Sequence, residues 1–255
     1  MPLDLVTVPC LKDNYAFLVH NTATGATALV DAPEAEPIMA ALAARGWSLT
    51  DIILTHHHWD HVDGLEPLRA AFAPRVIGAA ADAHRLPALD LAVKDGDSFD
   101  LLGQAAQVMD VSGHTLGHIA VHLPEAQLVF TADSLMALGC GRLFEGTPAQ
   151  MWQSLRNLSA LPDQTVVCSG HEYTASNARF ALTIDPDNPA LIARAARIDA
   201  ARAANQPTVP STMLEERQTN PFLRPHDPQI RARLGMIDAT DAEVFAEIRA
   251  RKDRF

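Results

Sequence analysis

Cysteine is scarce in this chain of 255 residues: Cys10, Cys140 and Cys168 are the only three, and no two form a Cys-x-x-Cys pair. An odd, scattered set excludes a disulfide framework and fits a reducing compartment, so each thiol reads as a small buried apolar side chain. No apolar run reaches the roughly 18 residues that a membrane span requires. The opening MPLDLVTVPC has neither a basic start nor an apolar core, so no secretory signal is expected. Cytoplasm is the expected compartment, with no membrane partner. Basic residues are few, 20 against 31 acidic, for a net charge of −11. That balance excludes nonspecific nucleic-acid binding, which needs clustered Lys and Arg on phosphates. An anionic small-molecule substrate stays possible if cations are placed locally.

What is present divides in two. Up to about residue 172, short β-type runs alternate with turns: LDLVTV, NYAFLVH, ATALVDA, DIILTH, RVIGAA, AAQVMDVS, IAVHL, LVFTAD and TVVCSG. Between them EAEPIMAALAARG reads as a helix stopped by Gly46. TPAQMWQSLRNLSAL reads as a helix capped by Thr147, with Pro148 first and Gln150 completing a capping box. From residue 173 the chain turns helix-rich, with helices expected near 174–182, 189–204, 211–217, 227–234 and 241–253. Two domains, 1–172 and 173–255, are therefore expected.

The densest chemistry is THHHWDH, residues 55–61. It follows the strand formers DIIL and precedes the helix-like HVDGLEPLRAAF, so it occupies a strand-to-helix loop, where rigid scaffolds present functional groups. His56, His58 and Asp60 alternate, and an extended backbone would carry them on one side, with His61 starting the turn away. Imidazole and carboxylate suit zinc, iron or manganese. Three further segments share the context: His114 in SGHTLGH, Asp133 in FTADS and His171 in CSGHEY each stand just past a strand. His57 reads as a support for its neighbours, Trp59 as packing at the site's edge, and His118 and His122 as structural.

THHHWDH with SGHTLGH, FTADS and SGHEY resembles the metallo-β-lactamase superfamily. The resemblance implies an α+β fold, an αββα sandwich with an appended C-terminal helical domain. It also implies two divalent metal ions, zinc first, with iron or manganese as alternatives. His56, His58 and His114 would hold one ion, Asp60, His61 and His171 the other, and Asp133 would bridge both. Within the superfamily, PCLKDNYAFLV, GCGRLFEGTPAQMWQSL, GHEYTASNARFA, DPDNPA, TNPFLR and RARKDRF resemble the glyoxalase II family. That resemblance runs from about residue 8 to Phe255. It implies hydrolysis of S-D-lactoylglutathione by a metal-bridging hydroxide, with Asp60 and Asp133 taking part. Arg249 and Lys252 would grip the glycine carboxylate of glutathione, and Arg142 and Tyr173 would contact the same part. Phe144 stands where some relatives carry tyrosine, so a hydroxyl is missing there. The alternative is a mononuclear iron persulfide dioxygenase acting on glutathione persulfide. A monomer is the expected assembly.

Overall fold

Leu3–Cys10 (β1) and Asn14–Asn21 (β2) pair antiparallel, and Ala26–Val30 (β3) continues the meander. The computed structural model describes residues 3–255. Residues 1 and 2, at the start of the first expected domain and of the N-terminal stretch read for a signal, lie outside the described residues. Helix Ala35–Ala43 (α1) then crosses over to Ser48–Leu54 (β4), which lies parallel to β3. The short helices Trp59–Val62 (α2) and Leu65–Phe72 (α3) lead to Arg75–Ala79 (β5), and Leu91–Val93 (β6) completes the sheet in the order β1 to β6. Both neighbours of β4 run parallel to it, so its segment DIIL is buried on both faces and reads as a continuous apolar run.

Ser98–Leu101 (β7), Gln104–Asp110 (β8), Ile119–Leu123 (β9) and Leu128–Ala132 (β10) pair antiparallel in succession. They face the first sheet: the rings of Phe17 on β2 and Phe130 on β10 lie 5.9 Å apart, and Asn21 Nδ2 donates to Leu102 O at 2.8 Å. On the outer face of the first sheet, Leu18, Leu29, Ile52 and Leu54 bury against Ile38 and Leu42 of α1 and Leu65 and Leu68 of α3. These layers form one compact unit, comprising the chain up to Asp110 together with Leu116–Ala132.

The second unit comprises Val111–Thr115 and Asp133–Phe255. It holds the hairpin Leu135–Met136 (β11) and Gly139–Cys140 (β12), helix Pro148–Ser159 (α4) and strand Val166–Ser169 (β13). Thr174–Ile184 (α5), Pro189–Ala203 (α6), Ser211–Thr212 (β14), Met213–Thr219 (α7), Pro228–Leu234 (α8) and Asp241–Asp253 (α9) follow. The capping box of α4 forms as its sequence predicts, and Thr240 with Glu243 builds another on α9. Phe180, Phe222 and Phe245 are fully buried and pack ring to ring, Phe222 lying 6.0 Å from Phe180 and 5.9 Å from Phe245. This unit division and the expected functional boundary at 172/173 are different cuts, because the loops carrying His114 and Asp133 fall with the C-terminal helices.

Two local expectations change. Asp60 and His61 sit in α2, so the alternation of residues 56, 58 and 60 does not reflect an extended backbone through Asp60. The segment expected as helix from 211 begins as β14, and α7 starts at Met213 with Thr212 accepting from Glu215 N. Among the described residues no helix is long and apolar enough to cross a membrane.

Candidate metal centre

β4 ends at Leu54, and the next seven residues carry the first set of ligand-type side chains. His56 and His61 are fully buried, while His58 and Asp60 are partly exposed. A buried imidazole needs partners for both ring nitrogens, and those partners define the tautomer. Asp31 supplies most of the order. Its Oδ1 accepts from Thr55 N at 2.9 Å, and its Oδ2 accepts from Thr55 Oγ1 at 2.9 Å and from His61 Nδ1 at 2.8 Å. Because the Thr55 hydroxyl spends its proton on Asp31, it accepts from His56 Nδ1 at 3.0 Å. Both imidazoles therefore carry the proton on Nδ1 and present Nε2 as a lone pair.

His56 Nε2 lies 3.2 Å from His58 Nδ1. Two ligands at about 2.0–2.1 Å from one tetrahedral ion stand roughly 3.3 Å apart, so the pair has the bite of a shared cation. Asp60 is held by Asn14, whose Nδ2 donates to Asp60 O at 2.9 Å and Oδ2 at 3.1 Å; that same Oδ2 lies 3.9 Å from His61 Nε2. His57 points elsewhere: its Nδ1 donates to Asp82 Oδ2 at 3.0 Å, and Asp82 also receives Arg85. His118 stacks on His56, with centroids 4.6 Å apart, and its Nδ1 donates to Ile119 O at 3.1 Å. Trp59 is 63% exposed, a rim residue and not packing.

The second set lies in the second unit. His114 Nδ1 donates to Arg142 O at 2.8 Å; a carbonyl can only accept, so Nε2 is again the bare nitrogen. Asp133 Oδ2 stands 3.5 Å from His114 Nε2 and 3.3 Å from His171 Nε2. One carboxylate oxygen thus faces two imidazole nitrogens, a placement that suits a group of metal-ligating side chains. Gly113 adopts φ 151°, and a Cβ there would meet Met151 at 2.7 Å. Gly141 is tighter: a Cβ would lie 1.9 Å from Asp133 O, so only glycine lets the hairpin pass this close to the ligand. Phe144 meets His114 edge-on at 5.3 Å, and Tyr173 stacks on His171 at 4.7 Å. A donor set of five imidazoles (His56, His58, His61, His114 and His171) and two carboxylates (Asp60 and Asp133) fits divalent zinc, iron or manganese.

A cationic cluster occupies the same unit. Arg249 is buried; its Nη1 donates to Cys140 O at 2.9 Å, its Nε and Nη2 donate to Asp253 Oδ1 at 3.1 and 2.8 Å, and its guanidinium lies over the Phe222 ring. Lys252 Nζ sits 5.3 Å from the Phe180 ring and 5.2 Å from the Phe255 ring, and 3.4 Å from Ser176 O. Burial, then the charges of Arg249 and Arg179, push its pKa down to about 8. Arg142 is exposed, with Nε 3.7 Å from Asp253 Oδ1. The structure thus gathers Arg142, Arg249 and Lys252 and adds Asp253, which nothing in the sequence pattern singled out. All three cysteines are buried free thiols; burial holds Cys10 up at about 12, Cys140 at about 11, and raises Cys168 as well.

Residues 13–171 match the family model of the metallo-beta-lactamase superfamily, and residues 172–255 match that of the hydroxyacylglutathione hydrolase C-terminus. A protein from Ruegeria pomeroyi named hydroxyacylglutathione hydrolase is 69% identical over the whole of both chains. The chain belongs to the hydroxyacylglutathione hydrolase family. A second protein of that name, from Roseobacter denitrificans, is 65% identical over the same full extent. The fold also resembles that of ETHE1 from Myxococcus xanthus, with a TM-score of 0.67 over 98% of this chain and 90% of that one, at 23% identity. That likeness shows the fold alone. The family's metallo-β-lactamase fold and its His/Asp groups support a dinuclear divalent metal site, and the dioxygenase alternative is not favoured.

Proposed function

We propose that this enzyme hydrolyses the thioester of S-D-lactoylglutathione and related S-2-hydroxyacylglutathiones to the hydroxy acid and glutathione, the second step of methylglyoxal detoxification. The observation that carries the reading is the cationic cluster of Arg249 and Lys252 in the segment matching the hydroxyacylglutathione hydrolase C-terminus. In this proposal His56, His58 and His114 hold one divalent ion, Asp60, His61 and His171 hold a second, and Asp133 serves both. Zinc is the first expectation, with iron or manganese as alternatives. Two such ions would supply a hydroxide nucleophile at neutral pH and a counter-charge for the developing oxyanion.

The chain's own residues do the rest. Asp31 and Thr55 fix the ring orientation of His56 and His61, and Arg142 O fixes that of His114. Asn14 clamps Asp60, and the carboxylate so held would aid proton handling in the reaction. Arg249, Lys252 and Arg142 receive the glycine carboxylate at the far end of the substrate, with Tyr173 alongside. Binding energy gathered there positions the thioester without touching the reacting carbon. The leaving group is a thiolate whose parent thiol has a pKa of about 8.5, so the departing sulfur needs no strong general acid. Phe144 covers one edge of His114 with an apolar ring and offers no hydroxyl. A cytoplasmic monomer acting on a small-molecule thioester completes the proposal; the free buried thiols support a reducing compartment. Residues 173–255 would be its substrate-binding domain.

The test follows thioester loss with purified, metal-loaded protein, alongside metal analysis. Turnover of S-D-lactoylglutathione without oxygen and two metals per chain are expected. A protein with two metals that leaves this thioester intact would refute the reading.

A further inference from the structure

The cationic cluster contains a carboxylate of its own. Asp253 Oδ1 accepts two hydrogen bonds from Arg249, at 3.1 Å from Nε and 2.8 Å from Nη2, and lies 3.7 Å from Arg142 Nε. Arg249 is 6% exposed and anchored on Cys140 O, so its guanidinium is not free to swing toward a ligand. A ligand carboxylate must come to it, at the edge where Asp253 already sits. Asp253 is the more exposed partner, with 39% of its side chain accessible at the last residue of α9.

Local helix energetics do not account for an aspartate there. A negative charge at a helix C-terminus opposes the helix dipole. An i,i+4 pair with the cation first is the weaker orientation. Its placement makes sense against the ligand. We propose that Asp253 is a specificity-determining residue whose carboxylate competes with the carboxylate end of substrate and product for Arg249 and Arg142. This rests on the reading of Arg142, Arg249 and Lys252 as the carboxylate site. Asp253 weakens retention of carboxylate ligands, glutathione included, and so favours release of product.

The experiment compares S-D-lactoylglutathione with its C-terminal carboxamide in the parent enzyme, Asp253→Asn and Asp253→Glu, with glutathione as product inhibitor. Removing one charge from a partly exposed pair should lower KM for the acid and the inhibition constant of glutathione about three- to fivefold. KM for the amide should not fall, and Asp253→Glu should restore the parent values. A general structural role would move acid and amide together. A KM for the acid that rises or stays constant in Asp253→Asn, or parallel shifts of acid and amide, overturns the proposal. If the parent enzyme itself does not distinguish acid from amide, the carboxylate-site reading fails and takes the proposal with it.

Discussion

Asp31 ties together three groups of the Thr55–His61 loop. It is buried at φ 57°, a left-handed conformation that aspartate tolerates better than most residues, and it serves Thr55 twice and His61 once. Asp31→Ala should cost about 10- to 100-fold in metal affinity, as removing such supports does elsewhere. Competition with a chromophoric chelator would show it; an unchanged affinity would contradict the role given to Asp31. Lys252 makes a second prediction at this scale. Its pKa of about 8 lies below the ordinary lysine value, mainly through burial, so the ammonium is charged below that pH and neutral above it. In the proposed role a charged Lys252 would attract the substrate carboxylate, so KM should rise as pH passes through about 8 and upward. Lys252→Arg, charged throughout, should flatten that rise; a KM equally pH-dependent in the variant would assign the effect to another group.

Among the elements, the β11–β12 hairpin is tied at several backbone positions by side chains from the C-terminal helices and their connections. Asn220 Nδ2 donates to Met136 O, Gly139 O and Glu216 Oε2, Asn177 Nδ2 donates to Ala137 O, and Glu216 Oε2 accepts from Leu138 N. Arg194, itself buried, donates to Glu216 Oε1 at 2.5 Å and to Thr219 Oγ1 at 2.7 Å. The reward lies at the end of the hairpin, where Cys140 O receives Arg249, and two residues on, where Arg142 O receives His114. Glu216→Ala leaves buried Arg194 with Glu215 Oε2, 3.6 Å from its Nε, as its remaining carboxylate partner, and should destabilise the fold by about 2–4 kcal/mol in urea unfolding. A loss below about 1 kcal/mol would mean water replaces the network. Gly141→Ala should also lower metal occupancy, because its Cβ and Asp133 O cannot share the space.

The proposed ligands stand out in the sequence because four of the seven lie within six residues and the others each follow an apolar strand. What escaped was carried by distance or by period. Asp31 and Asn14 act on residues 24 to 46 positions away, and a lone Asp or Asn announces no partner. The alternation of 56, 58 and 60 imitates a strand, and α2, a single turn of four residues, is too short for helical periodicity to show. Strands of two or three residues, such as β6, β11 and β14, likewise leave no pattern to read. The C-terminal helices were visible from their Pro and Asn boundaries, whereas Asp253 looked like one more charge at a helix end.

For the molecule as a whole, metal and fold should be linked. Ligands that bind only the folded chain stabilise it, by about 2.7 kcal/mol when present at 100 times their Kd. Chelation should therefore lower Tm, and zinc should restore it; a Tm indifferent to both would argue against metal held by the folded chain. The same loop design has one more outcome. His56, His61 and His114 each commit a ring N–H to a fixed acceptor, at 3.0, 2.8 and 2.8 Å, and all three rings are at least 96% shielded from water. Such protons exchange slowly with solvent. In ring-15N-labelled protein they would give three persistent downfield magnetic resonances. Each would report a single loop in real time as metal is added or withdrawn.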